Sequence, residues 1–209
     1  MTYKEYKIAI VGFYQIKGSF NGASEVSLSL FESLNCKKKL FDLKNPKSFE
    51  TNSPLKFFYP YLIKPLRIIF QINRVINFLE KSKKKIVIIE GASWIGYSYL
   101  FIKIVKFLIK DVKIIYHAHN IEYEIRKLKN SYLIQLFTYM LEKKVLNLSD
   151  YSTSVSKIDQ KNNLLLYKKK TILFYNGISQ KRLKSSKKII EEEYIIFSGN
   201  YFFLPNQIA

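Results

Sequence analysis

The chain has two histidines, and both lie in the segment Tyr116-His117-Ala118-His119-Asn120-Ile121-Glu122-Tyr123-Glu124. If the strand before them runs on, His117 and His119 share one face, because alternate residues of a strand point the same way. Three chemistries suit this pattern. A metal centre is one, but there is no third histidine, and the carboxylate that closes a His-x-His-x-Asp ligand set is replaced by Ile121. No metal is therefore expected. In the second reading, one histidine caps the helix that follows. In the third, the loop lines a substrate cleft, where His119 touches substrate hydroxyls and Glu122 or Glu124 orients it. Histidine suits that work because it both donates and accepts hydrogen bonds near neutral pH.

A second candidate is the loop Gly18-Ser19-Phe20-Asn21-Gly22, which leads into a helical pattern. Glycines at a helix amino terminus leave free N–H groups and a positive dipole end for a phosphate. The spacing is not that of the dinucleotide fingerprint, so an ordinary connecting loop fits equally well. A third is Asn176-Gly177, a pair suited to positive φ and hence to a tight turn that steers the chain out of a domain.

These loops need elements to hold them. Short apolar runs at 7–12, 38–42, 86–90, 112–116, 151–155 and 171–174 read as strands. Between them, 23–34, 97–110, 132–148 and 157–167 read as helices, and 54–85 holds one or two more, broken at Pro60 and Pro65. Strand and helix in alternation predict an α/β fold, a Rossmann-like parallel sheet with helices on both faces. In such a sheet ligands bind beyond the carboxyl ends of the strands, where the candidate loops fall. The spacing predicts a domain over residues 1–180, a polar connector over 181–193, and at 194–209 the first strand and turn of a further domain.

Composition narrows the classes. Hydrophobic residues make up 48% of the 209 residues, more than a disordered chain carries. The net charge is +19, yet only four of the 35 basic residues are arginine. Arginine is the residue favoured for bidentate phosphate and base recognition. The lysines accompany abundant Ile, Asn, Phe and Tyr, the bias of a genome poor in G and C. A basic nucleic-acid-binding module is thus a weaker alternative, and no nucleic-acid partner is expected. The mixture of Phe57, Phe58, Phe70, Lys64, Arg67 and Arg74 within 54–85 fits sheet-covering helices. It also fits peripheral contact with an anionic membrane. A single cysteine, Cys36, fits a reducing compartment. The run 7–12 is too short for a signal sequence, and no run reaches the ~18 apolar residues of a spanning helix. The expected location is cytoplasmic, or peripheral on the inner face of the membrane.

Five segments, in order, resemble the glycosyltransferase family 4-like group of the GT-B fold. They are Asn21-Gly22-Ala23-Ser24-Glu25, His119-Asn120-Ile121-Glu122, and Leu141-Glu142 continuing to Ser149-Asp150 and Val155-Ser156. Phe174-Tyr175-Asn176-Gly177-Ile178 and Tyr194 to Asn200 with Pro205-Asn206 complete the set. Asn21 stands where the family has glycine, and Ser179 where it prefers aspartate. The resemblance implies the amino-terminal half of GT-B and a retaining transfer of sugar from a nucleotide-sugar to a glycan or lipid-linked acceptor. It implies no bound cofactor, the nucleotide-sugar being a co-substrate. His119 is then the catalytic residue, and Gly18, Asn21, Gly22, Asn120, Glu122 and Glu124 bind substrate. Gly199 and Asn200 open the phosphate loop of a donor domain that is missing after Ala209, so the chain alone is expected to be nearly inactive. The alternative is a non-catalytic binding or regulatory domain derived from a transferase.

Overall fold

The computed structural model describes residues 6–19, 21–43, 63–80, 82–128 and 130–177, all within one compact unit, Met1–Ser179. The expected connector at 181–193, the strand and turn at 194–209 with Gly199 and Asn200, and residues 54–62 lie outside the described residues.

Six strands form one all-parallel sheet: β1 (Tyr6–Gly12), β2 (Lys37–Phe41), β3 (Lys84–Glu90), β4 (Val112–His117), β5 (Tyr151–Ser154) and β6 (Ile172–Leu173). Their spatial order is β2-β1-β3-β4-β5-β6. The α/β, Rossmann-like expectation holds. The helices are α1 (Gly22–Ser33), α2 (Lys64–Leu79), α3 (Ile95–Leu108), α4 (Glu122–Lys127), α5 (Tyr132–Leu148) and α6 (Lys157–Tyr167). Among the described residues no helix is long and apolar enough to cross a membrane.

Strand parity divides the sheet into two faces. Ala9, Val11, Val87, Ile89, Ile114 and Tyr116 point to one side and join the main hydrophobic cluster. That cluster also takes the inward residues of α2, α3, α5 and α6, such as Ile72, Phe101, Val145 and Tyr167. The alternate residues Ile10, Ile88, Glu90 and His117 face the other side, where α1 lies. Right-handed crossovers dictate this division. The chain moves one way from β1 to β2 and the opposite way through every later strand. The switch in direction falls between β1 and β3, which pair from Tyr6↔Lys84 to Gly12↔Glu90.

Several local readings differ from expectation, among them the positive φ expected at Asn176-Gly177, which neither residue takes. Pro65 does not break a helix but opens α2, where its missing N–H costs nothing. Helix α3 begins at Ile95 rather than Tyr97. The short helix α4 was not expected, because six residues give too little periodicity to see.

Phe101 of α3 is fully buried, with its ring 5.6 Å from that of Phe13, the residue after β1. Phe101→Ala should lower unfolding stability by about 3–5 kcal/mol, read from urea melts. A loss below about 1 kcal/mol would mean the packing is not as described.

Candidate functional site

The crevice at a switch in strand direction is where an open parallel sheet binds ligands. Here it lies beside Gly12 and Glu90, the last residues of β1 and β3. Glu90 is fully buried, so its carboxylate needs partners. Ser27 Oγ of α1 donates to Glu90 Oε2 at 2.6 Å. His119 Nε2 reaches the same oxygen at 2.8 Å, and His117 Nδ1 lies at 3.2 Å. Tyr14 extends the chain, its hydroxyl 2.6 Å from Ser27 Oγ. Burial pushes the Glu90 carboxyl up, but the hydrogen bonds and charges of His117 and His119 outweigh it and hold it down at about 2. Burial, and next the Glu90 charge, raise the Tyr14 phenol well above its usual value.

The ionised Glu90 sets the roles of both rings. His117 donates from Nδ1, and its buried Nε2 has no partner among the described residues. His119 donates from Nε2, so Nδ1 is the ring nitrogen left without a protein partner among the described residues. The rings lie 4.9 Å apart on one side of the sheet, as their spacing suggested. The helix-capping alternative is not what His119 does. That task falls to Glu142 of α5, whose two carboxylate oxygens accept the backbone N–H groups of Glu122 and Tyr123 at 2.9 and 3.0 Å.

Gly91 fixes the spacing of the site. Its N–H donates to His117 O at 2.8 Å. A Cβ here would stand 2.7 Å from Tyr116 Oη and 2.9 Å from His117 O. Any larger residue would part β3 from β4 where Glu90 meets His117.

The glycine loop is held from β2, since Asp42 Oδ2 accepts from the N–H groups of Ile16 and Lys17, each at 3.1 Å. Gly18 takes φ +72°, a left-handed conformation natural to glycine. Asn21 caps α1 by accepting from Ser24 N at 2.9 Å. Gly22 opens the helix, and nothing lies within 4 Å of where its Cβ would be. The α1 amino terminus thus stands on the same face as His119, linked to it through Ser27 and Glu90.

Other expected residues are engaged elsewhere. Glu122 Oε1 accepts from Arg126 Nε and Nη2 at 2.9 and 2.6 Å, and Glu124 accepts from Asn162 of α6 at 3.1 Å. Neither reaches His119 in the described contacts. Asn120 keeps a buried Oδ1 without a partner among the described residues. Sequence reasoning passed over Glu90, Ser27 and Tyr14, and gave Glu142 no role in the site. A carboxylate closing the apolar run Ile86–Ile89 was the available signal for the first.

Glu90, His117 and His119 each present a ligand atom, all within 4.8 Å of one another, a set able to hold a divalent transition metal. The same atoms satisfy one another as hydrogen-bond partners. No family model and no curated protein sequence matches the chain.

Glu142 generates a prediction. Burial, outweighing the hydrogen bonds from Tyr167 and the two backbone N–H groups, pushes its carboxyl up to about 7. A raised carboxyl pKa means the folded state holds a proton the unfolded chain has released. Its effect is a stability loss as pH rises from about 4.5 to about 7, on the order of 3 kcal/mol over that window. Relative to wild type, Glu142→Gln should therefore gain stability with rising pH in urea melts. Parallel curves for the two proteins would contradict the assignment.

Proposed function

We propose that this chain is the acceptor-side half of a retaining, nucleotide-sugar-dependent glycosyltransferase. The observation that carries the reading is His119, oriented by a buried, ionised Glu90 at the crevice between β1 and β3, with the α1 amino terminus on the same face. The five ordered segments that resemble the GT-B group support it, and two of them, at α1 and at His119, are linked indirectly through Ser27 and Glu90.

On this reading His119 Nδ1 hydrogen-bonds a hydroxyl of the transferred sugar near the reacting carbon. Glu90 is a positioning residue. It fixes the ring through His119 Nε2 and leaves Nδ1 as the ring nitrogen available to substrate. The N–H groups at Gly22 and its neighbours face the diphosphate or the transferred sugar. A donor-binding half, which the resemblance implies, neutralises the leaving phosphate, which supplies much of the stabilisation in such transfers. The acceptor is a glycan or a lipid-linked sugar in the cytoplasm or at the inner membrane face.

The test is transfer of labelled sugar from a panel of nucleotide-sugars by the protein that joins this chain to its donor half. His119→Ala should reduce kcat by about 10²-fold or more, and activity should persist in chelator. Glu90→Gln should lower kcat while leaving the KM for the donor nearly unchanged. Full activity in His119→Ala would overturn the reading, and loss on chelation would move Glu90, His117 and His119 to the role of metal ligands.

A further inference from the structure

The outer side of α5 carries an apolar stripe that nothing among the described residues covers. Leu133, Leu136, Phe137 and Met140 follow three- and four-residue spacing and share one side of the helix. They are 75%, 42%, 49% and 44% exposed. The opposite side packs into the core through Thr138, Leu141, Glu142, Val145 and Leu146. The next outward positions are Lys143 and Lys144, both exposed.

Charge distinguishes the occupants of such a surface. The carboxylates of residues 120–149 are all turned to internal partners: Glu122 to Arg126, Glu124 to Asn162, Glu142 to the α4 amino terminus and Tyr167. What faces outward is hydrophobic and cationic. A second copy would set like charges together on a chain of net charge +19. A nucleic acid would use the lysines but leave Leu133, Leu136 and Met140 in water.

The surface extends across the molecule. Helix α3 packs between α2 and α5, and all three begin at the carboxyl edge of the sheet. Trp94, at the start of α3, lies 6.4 Å ring to ring from Phe137. In α2, Leu66, Ile69 and Phe70 are 51%, 42% and 70% exposed, beside Arg67 and Arg74. Between α3 and α5 a cavity of about 450 Å³ is lined by Trp94, Tyr97, Ile134 and Phe137.

We propose that the outward face of α5, with the first turns of α2, docks on an anionic lipid bilayer. The apolar side chains enter the acyl boundary, and the lysines sit among the phosphates. The sequence suggested membrane contact through 54–85; the docking surface centres instead on α5. The inference holds whether or not the chain takes part in sugar transfer.

The test is sedimentation of the 209-residue chain with vesicles of phosphatidylcholine alone or mixed with phosphatidylglycerol. Binding should require the anionic lipid and weaken with salt. Leu133→Ser and Phe137→Ser should each weaken partition by roughly tenfold or more, and Lys143→Gln and Lys144→Gln by about fivefold each. All four positions are exposed, so unchanged circular-dichroism melts would show that the variants fold. The proposal is overturned by absent vesicle binding or by binding that ignores Leu133→Ser and Phe137→Ser. Self-association that these two variants abolish, or RNA binding through Lys143 and Lys144 in place of vesicle binding, would also overturn it.

Discussion

A single ionised carboxylate at the end of a central strand organises the carboxyl edge of this molecule. Water cannot reach Glu90, and a lone charge there would either take a proton or unfold its surroundings. Ser27, His117 and His119 prevent both. They come from α1, from β4 and from the loop beyond β4, so one charge ties three elements together. Removing any one partner would leave the others around an under-satisfied buried charge, which is why such networks act as a unit.

The same logic is repeated at Glu142 with the opposite sign. It too is buried, but its partners are two backbone N–H groups and the Tyr167 hydroxyl. These do not offset desolvation, so its carboxyl rises where that of Glu90 falls. One glutamate fixes the ring of His119, and the other fixes the helix that begins three residues later. The loop between them is held at both ends by side chains distant in sequence.

The fold was legible in the sequence because its signal is local and repeated. Each apolar run and each amphipathic stretch reports its own period, and alternation of the two implies a parallel sheet. Much of the site was less legible. His117 and His119 were visible because two histidines one residue apart stand out in a chain with only two. Their partner Glu90 lies 27 positions from His117, and only the parallel register of β3 with β4 brings them together. The spacing of Glu122 and Glu124 beside His119 suggested a cluster. Once α4 forms, however, a helical turn points Glu122 toward Arg126 and Glu124 toward α6. Such a redirection is invisible until the short helix is known.

Trp94 has a consequence of another kind. It is the chain's one tryptophan among 16 tyrosines, and it stands at the start of α3 against Tyr97 and Phe137. The protein therefore carries a single indole fluorophore, placed beside the outer face of α5. Light absorbed by nearby tyrosines drains toward it, so its emission colour reports the polarity of this one corner without any label being attached.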